Sequence, residues 1–492
     1  MKIEKSGIIN SRTAQLHRVF QNKNHVRIFS KTLCNFSFCP MFLSFLLISF
    51  PIFSQQNVEA SRLATIKYGT ETEIASLIQS LRNENAEYLD NELVALVETT
   101  RNQQILNGVF GFFGAREKSG LEDRAIRAIN ERDDEANETI LSAVNYLGRV
   151  KAAEAKQVIM ELLNTEERRF MNAAFRALGR ISSANTELAD ETADFLIEYY
   201  NFRDPGEENR NEVIIAMGAT GSANAVPLLV DIAANTDARF PLRIAAMNAL
   251  SQIGDQRGLE AILTCVNTND ANVRTAAIAA LGPFTGDEVD KAILDGFRDS
   301  NYRTRIAAAQ ASRDRKLIAA IPYPQFRAER DDVANVKDEA IRALGEIASA
   351  AKNEEAAKII DGMFSERKNS DRVRLISAEM LVKISANNYF SKLIIELDES
   401  KLKNQTTLYN GLLKIVSEAR IEGDTGEMEN IARRFLRDRG VLEKLYGLDM
   451  AANNNLKNLS EEVKALINER NESIARKARQ TAERLGINTE NS

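Results

Sequence analysis

The chain has 492 residues, 44% hydrophobic and 27% charged, with 62 Ala, 24 Gly, only 8 Pro and no Trp. Proline this far below the usual ~5%, with alanine this abundant, favours helix and argues against a sandwich, a barrel or a disordered chain. The formal net charge is −6, the two histidines (His17 and His25) lie within the first 25 residues, and the cysteines are Cys34, Cys39 and Cys265.

The chain opens on a segment unlike the rest. Residues 1–31 carry seven Lys/Arg against one acid, Glu4, and no charge occurs from Thr32 to Ser54. The apolar run Met41 to Phe53, MFLSFLLISFPIF, is 13 residues long, short of the ~20 that span a bilayer as helix. A basic stretch, a short apolar core and then small or polar residues predict an export signal over residues 1–54, cleaved between Ser54 and Gln55. An uncleaved membrane anchor and a true start at Met41 are the alternatives. Cys39 precedes the apolar core, so it does not read as a lipid-attachment cysteine. The expected location is the periplasm of a bacterium. Without the leader the chain keeps 57 Lys/Arg and 69 Asp/Glu, a net of −12. So acidic a surface repels phosphate backbones and argues against a nucleic-acid partner. Cys265 alone remains, which excludes an intramolecular disulfide and is compatible with an oxidising compartment.

From about residue 120 one pattern recurs. It is clearest as LRIAAMNALSQIGDQRGLEAILTCV (Leu242–Val266) and VRTAAIAALGPFTGDEVDKAIL (Val273–Leu294), and returns as NAAFRALG (Asn172–Gly179) and VKDEAIRALGEI (Val336–Ile347). Anchoring on the leucine of Ala-Leu-Gly marks Leu147, Leu178, Met217, Leu250, Leu281, Leu344 and Leu381, with steps of 31, 39, 33, 31, 63 and 37. YRTRIAAAQAS (Tyr302–Ser312) fills the doubled step, and weaker anchors follow at Leu413, Leu448 and Leu485. A period in the thirties sustained this long signals a solenoid. Each unit reads as two helices. Leu242, Ala246, Ala249, Leu250 and Ile253 form one apolar stripe at helical spacing, and Leu259, Ile262, Leu263 and Val266 form the second. Gly254-Asp255 and Gly286-Asp287 end one helix and begin the next, and Pro227 and Pro241 suit first turns.

Leu-Arg-Ile-Ala-Ala…Ala-Leu-x-x-Ile-Gly-Asp and Val-Arg-x-Ala-Ala…Ala-Leu-Gly resemble HEAT repeats, of the short bacterial type described in phycobilisome lyases. The resemblance is strong from about 170 to 350 and weaker over 57–130 and beyond 385. It implies an all-α fold, a right-handed α-α superhelix of the HEAT/armadillo-like solenoid class behind an N-terminal signal segment. The expected organisation is a leader at 1–54, divergent helical repeats at 55–130, and a HEAT-like array at 131–492 closed by a polar capping helix, Ala475–Gly486. Roughly eleven to thirteen helical pairs would fill it.

Chemistry is scarce. The mature chain has no histidine for a Ser–His–Asp or Cys–His arrangement and no His or Cys pair for zinc, so no catalytic residue, metal ligand or cofactor is expected. Gly108, Gly111 and Gly114 follow no strand and lack a downstream Lys-Ser/Thr, so they do not make a phosphate loop. Cys265 reads as a buried small hydrophobe. Two segments depart from the repeat. In Ile105–Ala115, Phe110, Phe112 and Phe113 with three glycines read as an exposed contact element or as a buried turn plugging the solenoid. In Ile321–Asp332, Pro322 and Pro324 predict a distorted unit or protruding loop, with Tyr323, Phe326 and Arg327 as candidate partner contacts and a plain connection as the alternative. Arg243, Arg274, Arg303, Arg342 and Arg374, with Asp237, Asp270, Asp299 and Asp371, predict a ladder of ion pairs between units. Asp331-Asp332 and Asp133-Asp134-Glu135 lack calcium-loop spacing and read as solvated acids. The expected function is a non-enzymatic scaffold of the cell envelope, binding a protein along a curved face lined by second helices. Membrane contact is expected only through an uncleaved leader. A lyase-like enzyme or small-molecule binder and a nucleic-acid-binding solenoid are the rivals.

Overall fold

The computed structural model describes residues 50–84, 86–203 and 205–488. The chain divides into two units, residues 1–62 and 63–492. The basic stretch, His17, His25, Cys34, Cys39 and the apolar run as far as Ser49 lie outside the described residues. Of the first unit, residues 50–62 are described and belong to helix α1 (Phe50–Tyr68), which carries Ser54 and Gln55. No helix among the described residues is long and apolar enough to cross a membrane.

The second unit is an α-solenoid with no strand among its described residues. Its first three helix pairs are α2 (Glu71–Glu84) with α3 (Asp90–Thr99), α4 (Gln103–Ala115) with α5 (Glu122–Asn130), and α6 (Asn137–Val150) with α7 (Lys156–Asn164). Next come α8 (Arg168–Ser182) with α9 (Thr186–Phe202), α10 (Glu207–Thr220) with α11 (Val226–Ala234), and α12 (Phe240–Ile253) with α13 (Leu259–Cys265). Then follow α14 (Ala271–Ala280) with α15 (Asp287–Gly296), α16 (Tyr302–Asp314) with α17 (Pro322–Arg330), and α18 (Ala334–Ala351) with α19 (Glu354–Ser365). The tenth pair is one element, α20 (Asp371–Leu402), broken at Ser385 where φ −166° and ψ 98° leave the helical region. The repeat copy read from sequence, Val373–Ser385, ends at this break. The array finishes with α21 (Thr406–Glu418) and α22 (Gly426–Leu436), α23 (Val441–Asn453) and α24 (Ser460–Ala465), and a final single helix, α25 (Glu472–Leu485). That makes twelve pairs and a closing helix among the described residues.

First helices form one continuous row, α2 on α4, α4 on α6 and onward to α23 on α25. Most second helices lie chiefly on the first helix of the following pair, as α5 on α6, α7 on α8, α11 on α12 and α17 on α18 do; the short α13 lies more on α11. A hairpin therefore cannot bury its own apolar stripe, and the next unit completes the core. Every anchor of the period faces inward: Leu147, Leu178, Met217, Leu250, Leu281, Leu344, Leu381, Leu413 and Leu448 are fully buried, and Leu485 is 4% exposed.

Close approach explains the Ala-Leu-Gly signature. A Cβ added to Gly148 would stand 2.7 Å from Ala177 Cα, and one on Gly218 would stand 2.7 Å from Ala249 Cα. The glycine after each of these anchors thus faces the alanine before the next anchor, and the smallest pairs of side chains let the first helices nest. Starts are set by short polar caps. Asn102, Asp270, Asn301, Ser370 and Asn471 each accept a hydrogen bond from a first-turn backbone N–H.

Candidate functional site

The segment read as a distorted loop is a regular second helix. Pro322 is the first residue of α17 and Pro324 the third, positions whose missing N–H groups have no helical acceptor in any case. The prolines therefore start the helix, and the protruding-loop expectation is overturned. Tyr323 is half-buried against Phe297, with ring centroids 5.8 Å apart. Phe326, one turn on, is 55% exposed. Arg327 is partly structural: its Nε donates to the Phe297 carbonyl at 2.7 Å. Replacing Arg327 would disturb the fold, so a triple substitution of Tyr323, Phe326 and Arg327 does not isolate binding.

These residues line a groove of about 540 Å³ with Phe297, Arg298 and Pro322. On the other side of α15 lies a second groove, of about 660 Å³, among Leu263, Arg274, Glu288, Lys291, Asp295 and Asp299. Both open on the layer of second helices.

Phe110, Phe112 and Phe113 are corrected. They are fully buried on α4 and offer no contact surface. Gly108 lies against Ile78 of α2, and Gly114 against Tyr146 and Arg149 of α6. The glycines thin a helix that two neighbours clasp, where the sequence suggested a turn. Arg116 closes this cluster with its guanidinium 3.8 Å from the Phe112 ring centre and a 2.7 Å ion pair to Asp90. Tyr146 donates to the Lys118 carbonyl and to Glu122, and burial pushes its hydroxyl pKa well up.

The arginine ladder exists with a different membership and a second task. Arg274 pairs at 2.7 Å with Asp299, in the connection from α15 to the next unit, and Arg342 with Glu379 of the next unit at 3.0 Å. Arg305, which the sequence reading passed over in favour of Arg303, holds Asp331 through two 2.8 Å bonds. Asp331 is 3% exposed, so reading it as a solvated acid was wrong; Asp332 is exposed. Arg303 instead lies over Tyr302. Several of these arginines also reach back to carbonyls at or just beyond the end of the preceding second helix. Arg243 donates to Ala233 at 3.0 Å, Arg374 to Phe364 at 2.9 Å, and Arg274 to Thr268 at 2.8 Å. A cation there satisfies carbonyls that lack an intrahelical donor. These bonds tie the end of a second helix to the following first helix. Cys265 is buried as expected, its Sγ 3.2 Å from an Arg243 N–H.

Paired helices, a sequence period in the thirties and unit-to-unit packing define an α-solenoid of the HEAT class. The model of the spirochaete HEAT repeat protein family matches residues 66–481, and the chain belongs to that family. It is also similar to the uncharacterized phycocyanin operon protein Z of Pseudanabaena tenuis, at 27% identity over 153 residues, 30% of this chain and 74% of that protein. Among solved structures it is similar to Kap121p, at 12% identity and a TM-score of 0.44, over 88% of this chain and 54% of that one. Importin beta stands at 12% identity and 0.45, over 89% and 63%. The chain thus spans little more than half the length of these two proteins.

Proposed function

We propose that the protein is a non-catalytic scaffold of the bacterial cell envelope that holds a protein partner along the layer of its second helices. The asymmetry of the two layers supports this reading. First helices nest closely through glycine and alanine, whereas the second helices around α15 leave two open grooves, one with Tyr323 and Phe326 at its surface. Aromatic anchors set in a groove are the form that protein interfaces take. A solenoid presents such a surface over a long span, suited to an extended partner.

Export rests on the pattern of residues 1–54, and the absence of catalysis on the lack of histidine after His25. Mass spectrometry of the native protein should find a first residue near Gln55; a chain retaining Phe42–Phe53 would support an anchor instead. Binding is tested by placing a photo-crosslinking amino acid at Phe326 in living cells. One envelope protein should be captured, and capture should fall when Tyr323 is also replaced by Ala. No crosslink, with the variant folded, overturns the partner reading at this face. The small-molecule rival keeps support from the relative's place in a phycocyanin operon. A visible absorbance band on the native protein would favour it.

A further inference from the structure

We propose that the groove between α15 and α17 takes an extended peptide segment in which a carboxylate stands next to an aromatic or long aliphatic side chain. This rests on the partner-binding reading above and adds the chemistry of what is bound.

The lining carries the argument. Phe297, Arg298, Pro322, Tyr323, Phe326 and Arg327 surround about 540 Å³, within the ~300–1,000 Å³ usual for binding clefts. Three of the six are aromatic, two are guanidinium groups and none is a carboxylate. In a chain that is net −12 from Gln55 onward, a positive lining free of acids is an exception, and it selects an anionic ligand.

The guanidinium groups are held in place. Arg298 lies over Tyr323 at 5.2 Å and Arg327 over Phe326 at 5.3 Å. Arg298 is 66% exposed at its side chain, and its ion-pair partner Asp295 stands 3.6 Å away, beyond hydrogen-bond length. Arg327 commits Nε to Phe297, with Asp331 at 3.5 Å. A guanidinium within about 6 Å of a ring centre is drawn to that ring, so part of its freedom is already spent before a carboxylate binds. Tyr323 and Phe326 sit three residues apart on one helix face and offer an apolar ledge beside those forks. A carboxylate alone would leave the ledge wet, and an apolar side chain alone would leave the arginines unused. The pair of groups satisfies both.

The test uses the full chain and a fluorescein-labelled decapeptide with Asp-Phe-Glu at its centre, followed by anisotropy. Three control peptides carry Asn-Phe-Gln, Asp-Ala-Glu or Lys-Phe-Lys in its place. The acidic-aromatic peptide should bind about tenfold tighter than each control, and binding should weaken as salt rises. Arg298→Gln and Phe326→Ala should each weaken it about tenfold, with thermal melting unchanged, since both side chains are largely exposed. Equal binding of the amide or Ala peptide, or indifference to Arg298→Gln, overturns the proposal. A crosslink from position 326 to a partner segment lacking this pair of groups overturns the chemistry while the scaffold reading stands. Absence of both crosslink and peptide binding removes both.

Discussion

Gly218 and Gly362 undergo the same chemical change when replaced by alanine, and the structure assigns them opposite signs. At Gly218 the new methyl would stand 2.7 Å from both Ala249 Cα and Cβ, backbone and near-backbone atoms that cannot swing away. The helix row must open locally, an overpacking that destabilises by about 1–3 kcal/mol. Gly362 lies within α19, exposed, with nothing within 4 Å of an added methyl. There alanine only removes backbone freedom from the unfolded chain, and stability should rise by about 0.5–1 kcal/mol. Urea denaturation of the two variants checks both. Stabilisation by Gly218→Ala would refute the nesting account of the Ala-Leu-Gly signature.

At the scale of an element, α16 and α17 are joined less by apolar surface than by charge. Only Pro324 and Ala328 of α17 are buried. Arg305 on α16 instead grips Asp331 beyond the end of α17, and donates to the carbonyls of Asp299 and Ser300 at 3.1 Å. Burial by itself would raise the Asp331 pKa. Hydrogen bonds from Arg305 and the Val333 N–H, with the charges of Arg305 and Arg327, outweigh it, so the net shift is downward. A carboxylate whose folded pKa lies below its unfolded value near ~3.9 stabilises fully above that value. The contribution fades as pH falls through the folded pKa. Asp331→Ala leaves Arg305 buried without its partner and should destabilise by about 3–5 kcal/mol at neutral pH. The difference between wild type and Asp331→Asn should shrink below about pH 4. A difference independent of pH would show that the pair is not ionised in the folded chain.

Across the whole second unit the buried apolar side chains form two clusters. One runs from Ile66 to Ala320 and takes in Ala343; the other runs from Ile321 to Leu485. They meet at α16, whose buried apolar side chains are all alanines, Ala307, Ala308, Ala309 and Ala311, small groups that bury little area. Arg305–Asp331 and Arg313–Glu339 bridge this joint. Nearest-neighbour coupling in a repeat array weakens wherever an interface is poor. We expect unfolding in urea to proceed in two steps, read by hydrogen exchange of segments on either side of residue 320. Leu250→Ala and Leu413→Ala, both fully buried, should each lower one step by about 2–5 kcal/mol and leave the other in place. A single transition shifted equally by both would show that the joint transmits full cooperativity.

The period and the anchors were legible in the sequence because a solenoid unit is contiguous. Each unit of about 35 residues carries its own stripes, and its neighbour in space is its neighbour in the chain. Leu147 through Leu448 could be named as core without coordinates for that reason, as could Cys265 and the terminator Gly254, whereas Gly286 stands past the end of α14 at Ala280 and directly precedes α15. What tertiary structure alone decided was the meaning of residues whose effect depends on an exact position or an outside partner. Pro322 and Pro324 interrupt a helix from within but begin one from its first turn, and the start of α17 was not written in the local composition. Gly108, Gly111 and Gly114 suggested a turn until α2 and α6 closed on α4 and used the missing side chains as room. Asp331 looked like one half of a solvated acid pair until Arg305, 26 residues earlier, reached it. Patterns of apolar residues survive any small shift of register, whereas capping, close approach and ion pairing change with a single residue or a few ångströms.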